Sequence, residues 1–235
     1  MKKTRVLFIH HSTGGLLIFF GRLRKLLKEK NPDIEFWDHG YNLYSPKELS
    51  YLFGPIMFRT GLSDGNGRMT GKDFNISISN NSPKEYAEIF SRDPDDFTLK
   101  NILSFETIIF KNCFPTSKIE TQEKLEEYKR YYSTIMKNIS KFKNRFIVFT
   151  PPPLRSEMTK PEWADNARSL ALFINKETKK YSNISSFDFF NLLTDKVGKN
   201  KNMLKREYCS IVPEDSHPNI RANREVGKLF VGIDF

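Results

Sequence analysis

Short apolar runs, separated by stretches of helical periodicity, are the feature that most limits the folds open to this chain. Arg5–Ile9 (RVLFI) has no polar residue after Arg5, as a strand buried on both faces requires. Ile34–Trp37, Thr107–Phe110, Arg145–Phe149 and Ile184–Phe187 read as four more strands. Between them lie helical segments. Over Leu16–Lys30 the residues Leu16, Phe19, Phe20, Leu23, Leu26 and Leu27 recur at helical spacing with basic residues opposite, and Asn31-Pro32 ends the run. Ser82-Pro83-Lys84-Glu85 carries a capping-box pattern leading into Tyr86, Ile89 and Phe90. Further helices are expected over Phe97–Leu103, Thr121–Phe142 and Pro161–Tyr181, and from Pro218 to about Val231. Strands alternating with helices at this spacing imply a mostly parallel sheet of about five strands with helices on both faces, a three-layer α/β/α sandwich. Without repeats or a low-complexity linker, residues 1–235 are expected to form one domain. An elaborated connection over about 41–104 would cover one edge, and Gly61–Lys72 reads as a loop.

Composition narrows the classes further. Apolar residues make up 38% and aromatics 14%, which argues against general disorder. Two Cys exclude a disulfide scaffold, and with four His they leave little for a structural zinc site, so no metal and no other cofactor is expected. No apolar run approaches the ~18 residues of a membrane helix. The N-terminus, MKKTRVLFIHH, opens like a signal peptide, but Val6–Ile9 falls short of the ~7 apolar residues an export signal needs. It reads as a strand, and the expected location is the cytoplasm. The net charge of +10 gathers at Arg22, Arg24, Lys25, Lys28 and Lys30, and at Lys196, Lys199, Lys201, Lys205 and Arg206. These clusters mix with polar residues and do not interleave with aromatics, so they read as solvated faces, with no specific nucleic acid as partner. Gly71-Lys72 lacks the rest of a phosphate loop, having Asn66 and Asp73 where Gly and Ser or Thr would stand.

In an open parallel sheet, ligands gather at the carboxyl ends of the strands. His10-His11-Ser12-Thr13-Gly14-Gly15 follows the first expected strand, Gly40 the second and Asn112 the third, and Glu214-Asp215-Ser216-His217-Pro218 precedes the last helix. The order Ser, Gly, Asn, His resembles that of the SGNH/GDSL-like hydrolases, α/β/α esterases and lipases. The resemblance touches most of the chain through a handful of residues. It implies Ser12 as nucleophile, Gly40 and Asn112 as oxyanion donors with the Ser12 amide, and His217 as base. The chain departs from the pattern in having His10-His11 in place of Gly-Asp before the serine, Glu in place of the usual Asp three residues before His217, and Cys113 in place of Asp after Asn112.

The chemistry this implies is coherent. A serine hydroxyl becomes nucleophilic when a base takes its proton, and a carboxylate on the other ring nitrogen orients that base. Glu214 has the family's spacing from His217 and is favoured; Asp215 has the family's usual residue type and stays open. Each residue also has a plainer use: Ser12 and His217 as helix caps, Gly40 in a turn, Asn112 bonded to a loop backbone. His11 is expected to line the substrate pocket. A metal site of His10, His11, His39 and Asp38 is disfavoured, because adjacent residues of a strand face opposite ways. Cys113 reads as a buried thiol without a nucleophilic role. The resemblance implies an acyl ester of a carbohydrate, lipid or small alcohol as substrate; no helix is both strongly apolar and exposed by pattern, and Tyr41, Tyr44, Tyr51, Phe53 and Phe58 among polar neighbours suit a short-chain acyl ester, such as an O-acetyl group on a carbohydrate, better than an alkyl chain. The competing reading is an inactive binding module for an anionic polymer or carbohydrate.

Overall fold

The computed structural model describes residues 3–41, 60–77 and 81–235. Six strands form one sheet: β1 (Thr4–His10), β2 (Ile34–Tyr41), β3 (Thr60–Ser63), β4 (Thr107–Phe110), β5 (Arg145–Phe149) and β6 (Ile184–Phe187). Their order is β3-β2-β1-β4-β5-β6, with every pairing parallel except that of β2 with the edge strand β3. β1 is central, with Phe8 opposite Asp38 of β2 and Ile109 of β4.

Side chains alternate across the sheet and so divide the core into two layers. Val6, Phe8, Ile109, Ile147 and Phe149 face a layer containing α1 (Ser12–Phe20), α2 (Leu23–Lys30), α7 (Phe189–Leu193) and α8 (Ile220–Phe230). Leu7, Ile9, Ile108, Phe110, Phe146 and Val148 face the other, built from α3 (Pro83–Ile89), α4 (Phe97–Leu103), α5 (Gln122–Ile139) and α6 (Pro161–Thr178). The result is the expected α/β/α sandwich. Among the described residues no helix is long and apolar enough to cross a membrane.

Three elements differ from the sequence reading. The first helix is two. Gly21 ends α1, and Arg22 takes a left-handed conformation (φ 56°) before α2 starts. The break lies where the end of α1 meets α8 backbone to backbone. A Cβ on Gly21 would lie 2.8 Å from the Asn223 carbonyl oxygen, and one on Gly227 would lie 2.5 Å from the Gly21 carbonyl oxygen. Second, β2 runs four residues beyond Trp37, because 38–41 pair with β3, a strand hidden in the segment read as a loop. The hairpin continues as Leu62 N–H donates to Lys72 O at 2.8 Å and Thr70 N–H to Leu62 O at 2.9 Å. Third, α8 is opened by Asn219, whose side chain accepts from the Ala222 amide, rather than by Pro218. The capping box of α3 forms as expected. Tyr44, Tyr51, Phe53 and Phe58, part of the basis for a sugar substrate, lie outside the described residues.

The approach of α1 to α8 yields a stability prediction. Gly227→Ala is expected to destabilise the fold by about 1–3 kcal/mol, the usual cost of overpacking, and chemical denaturation measures it. An unchanged midpoint would show that the two backbones can separate freely.

Candidate active site

The carboxyl ends of β1 and β4 and the loop before α8 meet above the sheet. β1 delivers His10 and His11, and the chain turns directly into α1. His11 is the N-cap residue without a side-chain capping bond, so Ser12 is the first residue of the helix, and its side chain is not the cap that residue type alone suggested. Gly14 is required here, because a Cβ would sit 2.3 Å from the Cβ of His10. After β4, Lys111, Asn112 and Cys113 run on as a buried loop. The Tyr41 hydroxyl props this loop by donating to Lys111 O at 2.8 Å, and the Tyr86 hydroxyl donates to that of Tyr41 at 3.0 Å. Tyr41 is therefore a core residue and not a substrate platform.

Ser12 Oγ lies 2.7 Å from His217 Nε2 across 205 residues of sequence. His217 Nδ1 is hydrogen-bonded to Asp215 Oδ1, which also accepts the His217 backbone N–H at 2.9 Å. A carboxylate can only accept, so Nδ1 carries the proton, and in the neutral ring Nε2 is the acceptor facing the serine hydroxyl. Of the two carboxylates left open as the acid, Asp215 is the one that meets the ring. Asp215 is short enough to fold back over two residues in an Asx turn, whereas Glu214, favoured on spacing, is exposed to solvent. Ser12 is 4% exposed and the His217 side chain 23%, so the approach to the pair runs past the imidazole.

His11 Nδ1 lies 3.0 Å from Ser12 Oγ on another side. With the serine proton given to His217, His11 can donate to the remaining lone pairs. Asn112 is fully buried, and its Oδ1 accepts from the Tyr132 hydroxyl at 3.0 Å, which sets the direction of its amide. Gly40 is within β2, opposite His10 of β1 and Gly61 of β3, rather than in a turn after the strand. The metal alternative finds its residues dispersed. His10 bonds Asp38 at 3.2 Å, and Asp38 is also paired with Arg24. His39 accepts from the Phe74 amide at 3.0 Å, and burial holds it down to about 4. Among the described residues, no group of three or more metal-ligating side chains forms.

Sequence reasoning missed the parts that hold the His217 loop. The Arg155 backbone N–H donates to Ser216 Oγ at 3.1 Å, while its guanidinium donates to Ser210 O at 3.4 Å and to Val212 O. The Phe114 ring meets that of His217 edge-on at 5.0 Å. Beside it opens a cleft of about 500 Å³ lined by Phe114, Pro115, Leu154, Met158 and Trp163, with Lys118, Lys160 and Glu157 among them. Sequence reasoning also set Cys113 aside, but its Sγ lies 3.3 Å from Ser12 Oγ and 3.6 Å from Thr13 Oγ1.

The electrostatics follow from burial and from these contacts. Burial disfavours imidazolium at His217, but bonds to Asp215 and Cys113 outweigh it and raise the group to about 9. Burial likewise opposes the Asp215 carboxylate, and His217 holds it below its usual range. Burial pushes Lys111 down to about 8, against the pull of Cys113. The Cys113 thiol is disfavoured as thiolate by burial, yet hydrogen bonds from His11 and His217 and the Lys111 charge hold it well below its ordinary value.

No family model matches the chain, and no curated protein matches it. Solved structures do. A GDSL-like lipase from Bacteroides thetaiotaomicron is 11% identical, with 97% of this chain and 85% of that one covered at a TM-score of 0.51. A protein of Streptococcus pneumonia whose name refers to platelet activating factor is also 11% identical, with 97% and 82% covered at a TM-score of 0.47. The chain has an SGNH/GDSL-like fold.

The Asp215 contact makes a direct prediction for the imidazole. By NMR, His217 is expected to titrate at about 9. Asp215→Asn should move that midpoint down, because the carboxylate stabilises the protonated ring, and Glu214→Gln should leave it in place. The reverse pattern would return the acid role to Glu214.

Proposed function

We propose that the chain is a serine esterase that removes short acyl groups through an acyl-enzyme. The observation that carries the reading is the run Ser12 Oγ, His217 Nε2 and Nδ1, Asp215 Oδ1, each step a hydrogen bond. His217 takes the Ser12 proton as Oγ attacks the ester carbonyl, then gives it to the leaving alkoxide. Water repeats the sequence on the acyl-enzyme. Asp215 holds the ring in the tautomer that leaves Nε2 free to accept. The developing oxyanion is met by the Ser12 amide at the start of α1 and by Asn112 Nδ2, each donor worth about 3–4 kcal/mol in such sites, whereas Gly40 lies within the paired part of β2.

Substrate class follows from the surroundings. The cleft beside His217 combines the Trp163 and Phe114 rings with Lys118, Lys160 and Glu157. Lys118 and Lys160 lie 5.6 and 5.0 Å from the Trp163 ring centre. Aromatic faces with polar partners suit a sugar ring better than an alkyl chain. An acetyl ester on a carbohydrate is the substrate this favours.

A series of aryl esters of increasing acyl length tests the reading. Highest kcat/KM is expected on acetate or butyrate, and Ser12→Ala should lower turnover at least about a thousandfold. The base must be neutral to act, so kcat/KM should rise with pH until His217 is deprotonated at about 9. Preference for eight carbons or more, or an unaffected Ser12→Ala protein, would contradict the reading.

A further inference from the structure

The Ser12 hydroxyl shares its pocket with a second nucleophilic atom that the proposed mechanism leaves unused. Cys113 Sγ lies 3.3 Å from Ser12 Oγ. A carbonyl carbon bonded to Oγ, or poised for attack by it, therefore falls within reach of sulfur, near the ~3–3.5 Å separation of reacting atoms in a near-attack arrangement. The surroundings of the sulfur suit an anion. The Thr13 hydroxyl donates to it at 3.6 Å. Behind Thr13 stands Lys111, 1% exposed, whose ammonium bonds Thr13 Oγ1 and, among the described residues, is paired with no carboxylate. A buried ammonium without a counter-charge is costly, and the nearby group able to supply a negative charge is the Cys113 thiol. The shifts agree in direction: burial is outweighed at Cys113, whose thiol is held low, and at His217, which is held high.

We infer that Cys113 is a second acyl-accepting nucleophile, sharing the His217–Asp215 pair with Ser12, so that the site can carry an acyl group as a thioester. The inference rests on the acyl-transfer reading of the site. The Cys113 thiolate attacks the ester carbonyl, the C–S bond forms, the C–O bond to the alcohol breaks, and the departing alkoxide takes the proton from His217 Nε2. Water then attacks the thioester. His217 accepts the water proton, the C–S bond breaks, and the carboxylic acid and the thiolate are released. Ser12 Oγ thus neighbours both Cys113 Sγ, at 3.3 Å, and His217 Nε2, at 2.7 Å, and a substrate blocked from serine still has a route through sulfur.

The experiment compares Ser12→Ala, Cys113→Ala and the Ser12→Ala/Cys113→Ala double variant with the wild type on p-nitrophenyl acetate, after circular dichroism has matched their folds. The Ser12→Ala protein should release nitrophenolate about tenfold faster than the double variant, as expected of a thiol beside a base. Quenched in acid and digested, it should carry an acetyl group on the Cys113 peptide that neutral hydroxylamine removes. Cys113→Ser, nearly isosteric, should lose the hydroxylamine-labile thioester. Equal release from Ser12→Ala and the double variant, with no acetyl on Cys113, would overturn the inference. If the wild type still depends on Ser12 in that case, the serine reading stands alone. If instead Cys113→Ala loses most activity and Ser12→Ala keeps it, sulfur is the principal nucleophile and the serine reading falls.

Discussion

A strand buried on both faces and paired along both edges can present chemistry only at its ends. β1 is such a strand: Val6, Leu7, Phe8 and Ile9 are wholly buried, and β2 and β4 flank it in parallel. Its carboxyl end leads without a loop into α1, so Ser12 is held between the sheet and the first helical turn. The close packing of Gly14 over His10 sets the angle of that turn. The other candidate groups reach Ser12 because the same parallel arrangement brings the end of β4 beside the end of β1, and because α8 packs against α1 and carries the His217 loop with it. The backbone approach of Gly21 and Gly227 is the closest point of that α1–α8 packing given by either glycine.

Much of this was legible in the sequence, for definite reasons. Strands buried on both faces are continuous apolar runs, and β4 and β5 have the bounds such runs give them, whereas β6, with Ser185 and Ser186 half-buried between Ile184 and Phe187, is marked only by its apolar ends. Ser12 and Asn112 stand out as candidates because strand ends in a parallel sheet converge, and His217 because the order Ser, Gly, Asn, His resembles that of the SGNH/GDSL-like hydrolases. β3 was not legible, since TGLS has too little β character of its own and becomes a strand only through pairing with 38–41. The break at Gly21 was hidden because helical periodicity continues through it, and a tertiary contact with α8 decides the matter. Which of Glu214 and Asp215 meets His217 was not legible, because sequence spacing does not report reach. Asp215, two residues from His217, bonds both the backbone and the ring through a single oxygen.

Cys113 and Lys111 show where sequence proximity misleads. No histidine adjoins Cys113 along the chain, yet His11 and His217 both lower its thiol in the folded protein, against burial. Lys111 follows an apolar strand and resembles a surface residue by type, but the fold buries it under α1 against Thr13. Arg155 is similar: it ties the His217 loop through one backbone and two guanidinium contacts, and its place after Pro151-Pro152-Pro153 gives no sign of this. Such groups are defined by three-dimensional neighbours, and a single sequence carries no trace of them.

The proposed reaction depends on an activated Ser12. Its most direct test is labelling of the wild-type protein with a fluorophosphonate, followed by peptide mapping of the adduct by mass spectrometry. One phosphonyl group per chain is expected, carried on Ser12, and no label when His217 is replaced by alanine. Label on another residue, or none from a protein that still hydrolyses aryl acetates, would contradict it.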